Sequence, residues 1–118
     1  MGIRRFGFHI CGEQNLNLPL LAEASPWLHP TILSFGHEVD IETAAQYFPQ
    51  DIIFGNLEPA RIQMETPPAV YELAKTAVAK GKKAAGFILS AGCQLPANAP
   101  PANVFAITKA VNDFGWYE

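Results

Sequence analysis

Four short apolar runs, each followed by a stretch with helical periodicity, constrain the fold of this chain more than any other feature. The runs are residues 3–10, 31–35, 51–54 and 85–89. They are continuous (FGFHI, TILSF, DIIF, AGFIL) rather than alternating, which is typical of a parallel sheet covered on both faces. Strand and helix in alternation predict right-handed βαβ units. Four such units are half of a (β/α)8 barrel, and an open flavodoxin-like sheet is the alternative.

Capping residues mark the helices between these runs. We expect one helix around residues 15–23, a second after Asp40 as its N-cap, and a third from Thr66 and Pro67 to Gly81. The third helix carries an apolar stripe at i, i+3, i+4, i+7 and i+8, formed by Val70, Leu73, Ala74, Ala77 and Val78. The last helix is predicted to bury Val104, Ile107, Val111 and Phe114.

Composition excludes several classes of protein. The 118 residues are 49% hydrophobic and 16% charged, which excludes a disordered chain. Eight Lys and Arg against eleven Asp and Glu give a net charge of −3 and no basic stripe, so no nucleic-acid partner is expected. No apolar run approaches the ~20 residues that span a bilayer, and the N-terminal residues do not resemble a signal peptide. We therefore expect a cytoplasmic protein with no membrane partner.

The short length and the low charge together predict that another polypeptide covers part of the surface of this chain. A chain of 118 residues forms one domain, residues 1–118. A domain this small usually covers its large surface with charge, which this one lacks. A half-barrel would also expose two strand edges and an apolar inner face. We therefore expect the chain to bury a face against a missing N-terminal half or a second copy of itself.

Polar side chains stand where the predicted strands end. His9 and Cys11 end the first strand, His37 follows the second, and Cys93 follows the fourth. The carboxyl ends of parallel strands share one edge of the sheet, so these side chains would open on one face. Glu58, after the third strand, is a further candidate for this mouth, although it also suits a helix N-terminus.

Three of these side chains form a candidate metal site. Zinc takes imidazole and thiolate ligands, and a catalytic zinc keeps one coordination position open. His9 and Cys11 point the same way because side-chain direction repeats every two residues along a strand. Cys93 closes the site only if the sheet curves, since the first and fourth strands of a flat sheet lie about 14 Å apart. Taken singly, each residue is also typical of a buried core His or Cys, so both interpretations stay open.

The remaining candidates are weaker. His29, between Leu28 and Pro30, is predicted to be a loop residue. The cluster of Lys80, Lys82 and Lys83 suits a helix C-terminus without any ligand. No phosphate loop, nucleophile elbow or dinucleotide fingerprint is present in the sequence.

Three segments together resemble the C-terminal half of the uroporphyrinogen decarboxylase superfamily. They are HICG at the end of the first strand, FGNLEPARI after the third, and GFILSAGCQLPANAPPANV across the last strand and its loop. The resemblance covers essentially the whole chain but only about the last third to half of a family member. His9, Cys11 and Cys93 match, in order, the His-x-Cys…Cys zinc motif of the methylcobamide:coenzyme M methyltransferase branch. True decarboxylases lack the His-x-Cys pair, and they carry a histidine near the position that Cys93 occupies in this chain.

This resemblance implies a zinc-dependent enzyme. It would move a methyl group from a methylated corrinoid, carried by a partner protein, to a small thiol such as coenzyme M, with zinc on His9, Cys11 and Cys93. Two other functions stay open: a non-catalytic assembly module, and a decarboxylase of a porphyrinogen. The decarboxylase is disfavoured because Arg4 and Arg5 begin the first strand, at the wrong end. The barrel of the family has further strands upstream of the first strand described here. The isolated chain is therefore not expected to be a competent methyltransferase.

Overall fold

The computed structural model describes residues 5–24 and 27–117, which form a four-stranded parallel sheet with helices between the strands. The strands are β1 (Gly7–Ile10), β2 (Ile32–Phe35), β3 (Ile52–Leu57) and β4 (Gly86–Ala91). The helices are α1 (Leu18–Ala24, after a 3-10 turn at Asn15–Asn17), α2 (Ile41–Tyr47), α3 (Pro59–Met64), α4 (Pro67–Gly81) and α5 (Pro101–Phe114). Arg4 and the first residues of the predicted first strand lie outside the described residues.

The order of the strands decides between the two predicted architectures. Each strand lies beside the next one along the chain, in the order β1-β2-β3-β4, and every pairing is parallel. This sequential order is that of a (β/α)8 barrel, whereas a flavodoxin-like sheet places its first strand between the second and third. The half-barrel of parallel β/α units is therefore confirmed, and the flavodoxin-like alternative is wrong.

The two faces of the sheet differ in what covers them. On the covered face, strand side chains no more than 2% exposed join the buried residues of all five helices in one core; these are Leu33, Phe35, Ile53 and Leu57. On the open face, Ile32 and Ile88 are 37% and 39% exposed. Within the described residues only one face is covered, and the exposed apolar face agrees with the expectation for a half-barrel. The apolar runs are continuous because the inner face of a barrel is also lined with apolar side chains.

The predicted capping residues begin their helices as expected. Asp40 precedes α2, and its carboxylate accepts hydrogen bonds from the backbone N–H groups of Glu42 and Thr43. Thr66 precedes α4, with its hydroxyl accepting from the N–H of Ala69, and the helix ends at Gly81. The predicted stripe of α4 is buried except for Leu73, which is half-buried.

Helix α5 buries a different face from the one predicted. Its buried residues are Asn103, Ala106 and Ala110, whereas Val111 is 38% exposed. Small side chains let α5 approach α4 closely, so the packed face is turned by about one residue from the stripe of larger apolar residues. Asn103 also donates from Nδ2 to the carbonyl oxygens of Ile62 and Glu65, at 2.7 and 2.8 Å, where α3 ends.

Strands β3 and β4 continue beyond the runs that predicted them. Strand β3 passes through Gly55, which the sequence suggested as its end, and continues to Leu57. Gly55 has a φ of +136°, and a Cβ atom there would lie 2.9 Å from the carbonyl oxygen of Phe35, so glycine is required.

None of the described helices is both long and apolar enough to cross a membrane.

Candidate metal centre

The predicted metal ligands stand on two strands at opposite edges of the sheet. His9 lies in β1, Cys11 follows that strand directly, and Cys93 lies two residues after β4. The N–H of Gly92 donates to the carbonyl oxygen of Leu57 at 2.7 Å, which ties the Cys93 loop to the end of β3. The loop therefore leaves the sheet in a defined direction, toward the carboxyl end of β1.

The structure brings these three side chains together. A nitrogen of His9 and the sulfurs of Cys11 and Cys93 lie within 4.8 Å of one another, and all three residues are exposed. Since β1 and β4 are the outer strands of a four-stranded sheet, this convergence requires the curvature of a barrel. Neither cysteine is a buried core residue, so the alternative interpretation of these residues is wrong.

The donor set and its spacing fit a single zinc ion. Imidazole nitrogen and thiolate sulfur are the ligands that zinc prefers, and three of them are typical of a site with one open position. Two sulfurs held at ~2.3 Å in tetrahedral geometry lie roughly 3.8 Å apart. The two Sγ atoms here are 3.6 Å apart, so the cysteines are already at the spacing that a shared ion needs.

Electrostatics oppose two thiolates at this spacing unless a cation is present. The hydrogen bond to Cys93 and the like charge of that residue raise the pKa of the Cys11 thiol above its usual value. Slight desolvation and the Glu38 carboxylate act in the same direction, and a hydrogen bond from Gly12 acts in the opposite one. A divalent cation would reverse this balance, because it attracts both thiolates.

His9, the third candidate ligand, is hydrogen-bonded to the neighbouring strand. Nδ1 of His9 lies 2.8 Å from Oγ of Ser34, its direct register partner in β2. Its other ring nitrogen, Nε2, has no hydrogen-bond partner among the described residues and is free to act as a ligand. A concave cavity of about 410 Å³ on the open face adjoins the centre, lined by His9, Ser34, Phe54, Ile88 and Cys93 among others.

The other mouth candidates belong to a separate cavity. His37 and Glu58 line a space of about 280 Å³ between the ends of β2 and β3 and helix α4. His37 lies 3.7 Å from the Glu38 carboxylate, and Glu58 precedes α3 without capping it through its side chain. Charged residues there are also paired within the chain, Lys80 with Asp40 and Arg61 with Glu65. The structure therefore does not bring His37 or Glu58 into the three-ligand centre.

His29 lies at the other end of the strands. It is a loop residue, as predicted, and its Nδ1 is 2.8 Å from Oδ1 of Asp51, which is completely buried. The same carboxylate oxygen accepts from the backbone N–H of Thr31. This pair joins the starts of β2 and β3, so its role is structural.

Sequence reasoning missed two residues beside the centre. Ser34 contacts His9, and Glu38 is close enough to influence the Cys11 thiol. Ser34 has a weak signal in the sequence, as the single hydroxyl within the apolar run ILSF. Its partner depends on the register between strands, which one sequence does not reveal.

Comparison with known proteins agrees with this architecture. The family model described as uroporphyrinogen decarboxylase (URO-D) matches residues 4–114. No curated protein matches the chain. Solved structures that match include a methyltransferase from Methanosarcina mazei, with a TM-score of 0.75 and 22% sequence identity over 92% of this chain. The chain spans 31% of that protein's length, and at this identity the likeness shows a shared fold.

Proposed function

The chain belongs to the uroporphyrinogen decarboxylase family, and from this premise we propose that it is part of a zinc-dependent methyltransferase. One observation carries the proposal: His9, Cys11 and Cys93 converge at the carboxyl end of the sheet, with their ligand atoms within 4.8 Å of one another. The likeness in fold to a protein named as a methyltransferase supports it.

The proposed reaction moves a methyl group from a methylated corrinoid, carried by a partner protein, to a small thiol such as coenzyme M. The acceptor sulfur forms a bond to the methyl carbon as the carbon–cobalt bond breaks. The electron pair of that bond stays on cobalt, and the thiol releases its proton. Zinc, when bound, would supply the Lewis acidity that lowers the pKa of the acceptor thiol, so that a thiolate is present at neutral pH.

The residues of this chain hold the reacting groups in this proposal. His9, Cys11 and Cys93 would bind the ion as three protein ligands and leave one position for the acceptor. The adjoining cavity of about 410 Å³ is lined by apolar side chains such as Phe54 and Ile88. Once a partner covers this open face, such a lining would exclude water from the acceptor and favour transfer to sulfur over side reactions with solvent.

The open face of the sheet requires a partner. Ile32 and Ile88 are partly exposed there, and β1 and β4 leave two unpaired strand edges within the described residues. We propose that residues 1–118 act as one domain and that an N-terminal half-barrel or a second copy covers this face. A cytoplasmic location belongs to the same proposal, because two neighbouring free thiols suit a reducing compartment.

A non-catalytic module is the second candidate. The same open face favours it, because an exposed apolar face can serve for assembly alone, and assembly needs no metal. The decarboxylase alternative lacks comparable support. Arg5 precedes β1, at the end of the strand away from the centre. Arg61 lies near the mouth, but its guanidinium is paired with Glu65.

Zinc content per chain tests the proposal. We would purify the full chain without added metal and measure zinc by elemental analysis in wild type, His9→Ala and Cys93→Ser. His37→Ala is the matched control, because His37 is an exposed histidine outside the three-ligand centre. We expect about one zinc in wild type and His37→Ala and far less in the other two. Absence of zinc from wild type, or equal zinc in all four proteins, would overturn the proposal and favour the module.

A further inference from the structure

One polar side chain stands in the apolar strand beside the metal centre. Ser34 is 5% exposed, and its strand neighbours Leu33 and Phe35 are buried in the helix-covered core. The parallel register makes Ser34 the direct partner of His9, so both side chains lie on the open face. The 2.8 Å contact between Oγ of Ser34 and Nδ1 of His9 is therefore built into the sheet.

This contact bears on which ring nitrogen of His9 can bind a metal. A neutral imidazole carries its proton on one nitrogen and presents a lone pair on the other. When a histidine binds a metal, its second nitrogen usually donates to an acceptor that fixes both tautomer and ring orientation. Oγ of Ser34 can accept from Nδ1–H, and this leaves the lone pair on Nε2.

We propose that Ser34 is a positioning residue for the metal centre, holding His9 with its proton on Nδ1 and its Nε2 directed at Cys11 and Cys93. The inference rests on the proposed zinc site and adds a residue that is not itself a metal ligand and acts through His9. Burial of Ser34 strengthens the role, because a buried hydroxyl is costly to leave without a hydrogen-bond partner. Its loss leaves His9 free to rotate and to change tautomer.

Metal affinity of the full chain tests the proposal first. We would titrate metal-free wild type, Ser34→Ala, Ser34→Thr and Thr108→Ala with Zn²⁺ against a chromophoric chelator. We expect Ser34→Ala to bind zinc 10–100-fold more weakly, as is usual when the outer partner of a metal-binding histidine is removed. Ser34→Thr keeps the hydroxyl and should recover most of the affinity. Thr108 is an exposed hydroxyl residue on α5 and does not line the cavity beside the centre, so the zinc affinity of Thr108→Ala should equal that of wild type.

Three further measurements separate positioning from folding. Thermal unfolding of the metal-free proteins reports whether a variant is simply unstable. The imidazole ¹⁵N NMR spectrum of metal-free protein reports the tautomer of His9 directly, without any metal. We expect the proton on Nδ1 in wild type and Ser34→Thr, and a mixture of tautomers in Ser34→Ala. With Co²⁺ as a probe, the sulfur-to-cobalt absorption should persist in Ser34→Ala, since both cysteines remain.

The outcomes distinguish this inference from the proposed function. Equal zinc affinity in folded Ser34→Ala and wild type would overturn the role of Ser34 and leave the zinc site standing. If wild type binds no zinc, the proposed function fails, and the NMR tautomer still decides whether Ser34 orients His9. The same tautomer in wild type and Ser34→Ala would overturn the inference in either case.

Discussion

The two faces of the sheet carry the same kinds of apolar side chain but have different roles. Ile53, on the covered face, is 2% exposed and packs into a core shared with all five helices. Ile88, on the open face, is 39% exposed and lines the cavity beside the metal centre. The covered face thus provides the stability of the described fold. The open face provides the site, and its apolar residues gain cover only from outside this part of the chain.

The residues of the candidate site and the residues that stabilise the fold are therefore different sets, on different faces of the sheet. The proposed metal ligands are all exposed, so changing them removes little buried area. The residues that hold the helices to the sheet lie on the other face or behind it. The following predictions test this separation, in order of decreasing effect.

The largest effect is expected on the covered face. Ile53→Ala should lower the free energy of unfolding by ~2–5 kcal/mol, because it leaves a cavity in a closely packed core. Ile88→Ala, the matched change on the open face, should cost less than about 1 kcal/mol in the same urea titration. Equal losses would break the comparison and would mean that the open face is covered in solution. Sedimentation would then show a dimer if a second copy provides the cover.

Zinc bound to the three candidate ligands, at the edge of the open face, should raise the free energy of unfolding. At a free zinc concentration 100 times the Kd, binding to the folded state adds about 2.7 kcal/mol to the free energy of unfolding. We expect this gain in wild type and in His37→Ala, and its loss in His9→Ala and after addition of a chelator. Without zinc, His9→Ala should unfold at nearly the same denaturant concentration as wild type. A large loss of stability in metal-free His9→Ala would contradict the separation.

A smaller effect is expected behind the covered face, at Asn103. Its Nδ2 ties the end of α3 to α5, and the side chain is fully buried. Asn103→Ala leaves two carbonyl oxygens without their donor and should cost ~1–3 kcal/mol in denaturant unfolding. Asn112→Ala, an exposed change on the same helix, should lie within about 0.5 kcal/mol of wild type. If the two variants were equally stable, the Asn103 contacts would contribute nothing to the covered side.

The smallest effect concerns Asp40, at the rim between the two faces. Partial burial alone would raise its pKa, but the Lys80 ammonium and the N–H groups of Thr43 and Glu42 outweigh it and hold the pKa below the ordinary value of 3.8. The stabilisation is therefore present above that value and is lost as the pH falls through the folded-state pKa. Because the pair is largely solvated, we expect less than about 1 kcal/mol.

The variant Asp40→Asn isolates this charge, since asparagine also caps helices. Urea unfolding at neutral pH should show wild type slightly more stable than Asp40→Asn, and the difference should vanish in acid. Glu72→Gln, which removes the carboxylate of a more exposed ion pair with Lys75, is the control and should lie within about 0.5 kcal/mol of wild type at neutral pH. A difference that grows in acid would contradict a lowered folded-state pKa of Asp40.

Local signals in the sequence predicted most of the elements. Asp40 and Thr66 begin their helices because their side-chain oxygens satisfy free backbone N–H groups, a contact within a few residues. The most buried face of α5 is turned by about one residue from the predicted stripe, because it depends on how closely α4 approaches. Alanine and asparagine fit that contact, and the larger apolar residues of the predicted stripe are left at its margin.

The candidate site was predicted in part. His9 and Cys11 are neighbours on one strand, so strand periodicity alone predicts that they share a direction. Their meeting with Cys93 depended on curvature, which the sequence could require but not demonstrate. Ser34 was missed because its contact with His9 follows from the register of β1 with β2.

By itself, the sequence determined the alternation of strand and helix, the capping residues, and the donor atoms available at the strand ends. These properties arise from backbone geometry and contacts between residues close in the chain. Only the tertiary structure decided the strand order, the difference between the covered and open faces, and the 3.6 Å approach of Cys11 to Cys93 across 82 positions. Such contacts depend on the twist and curvature of the whole sheet, to which every strand contributes and which no local segment encodes.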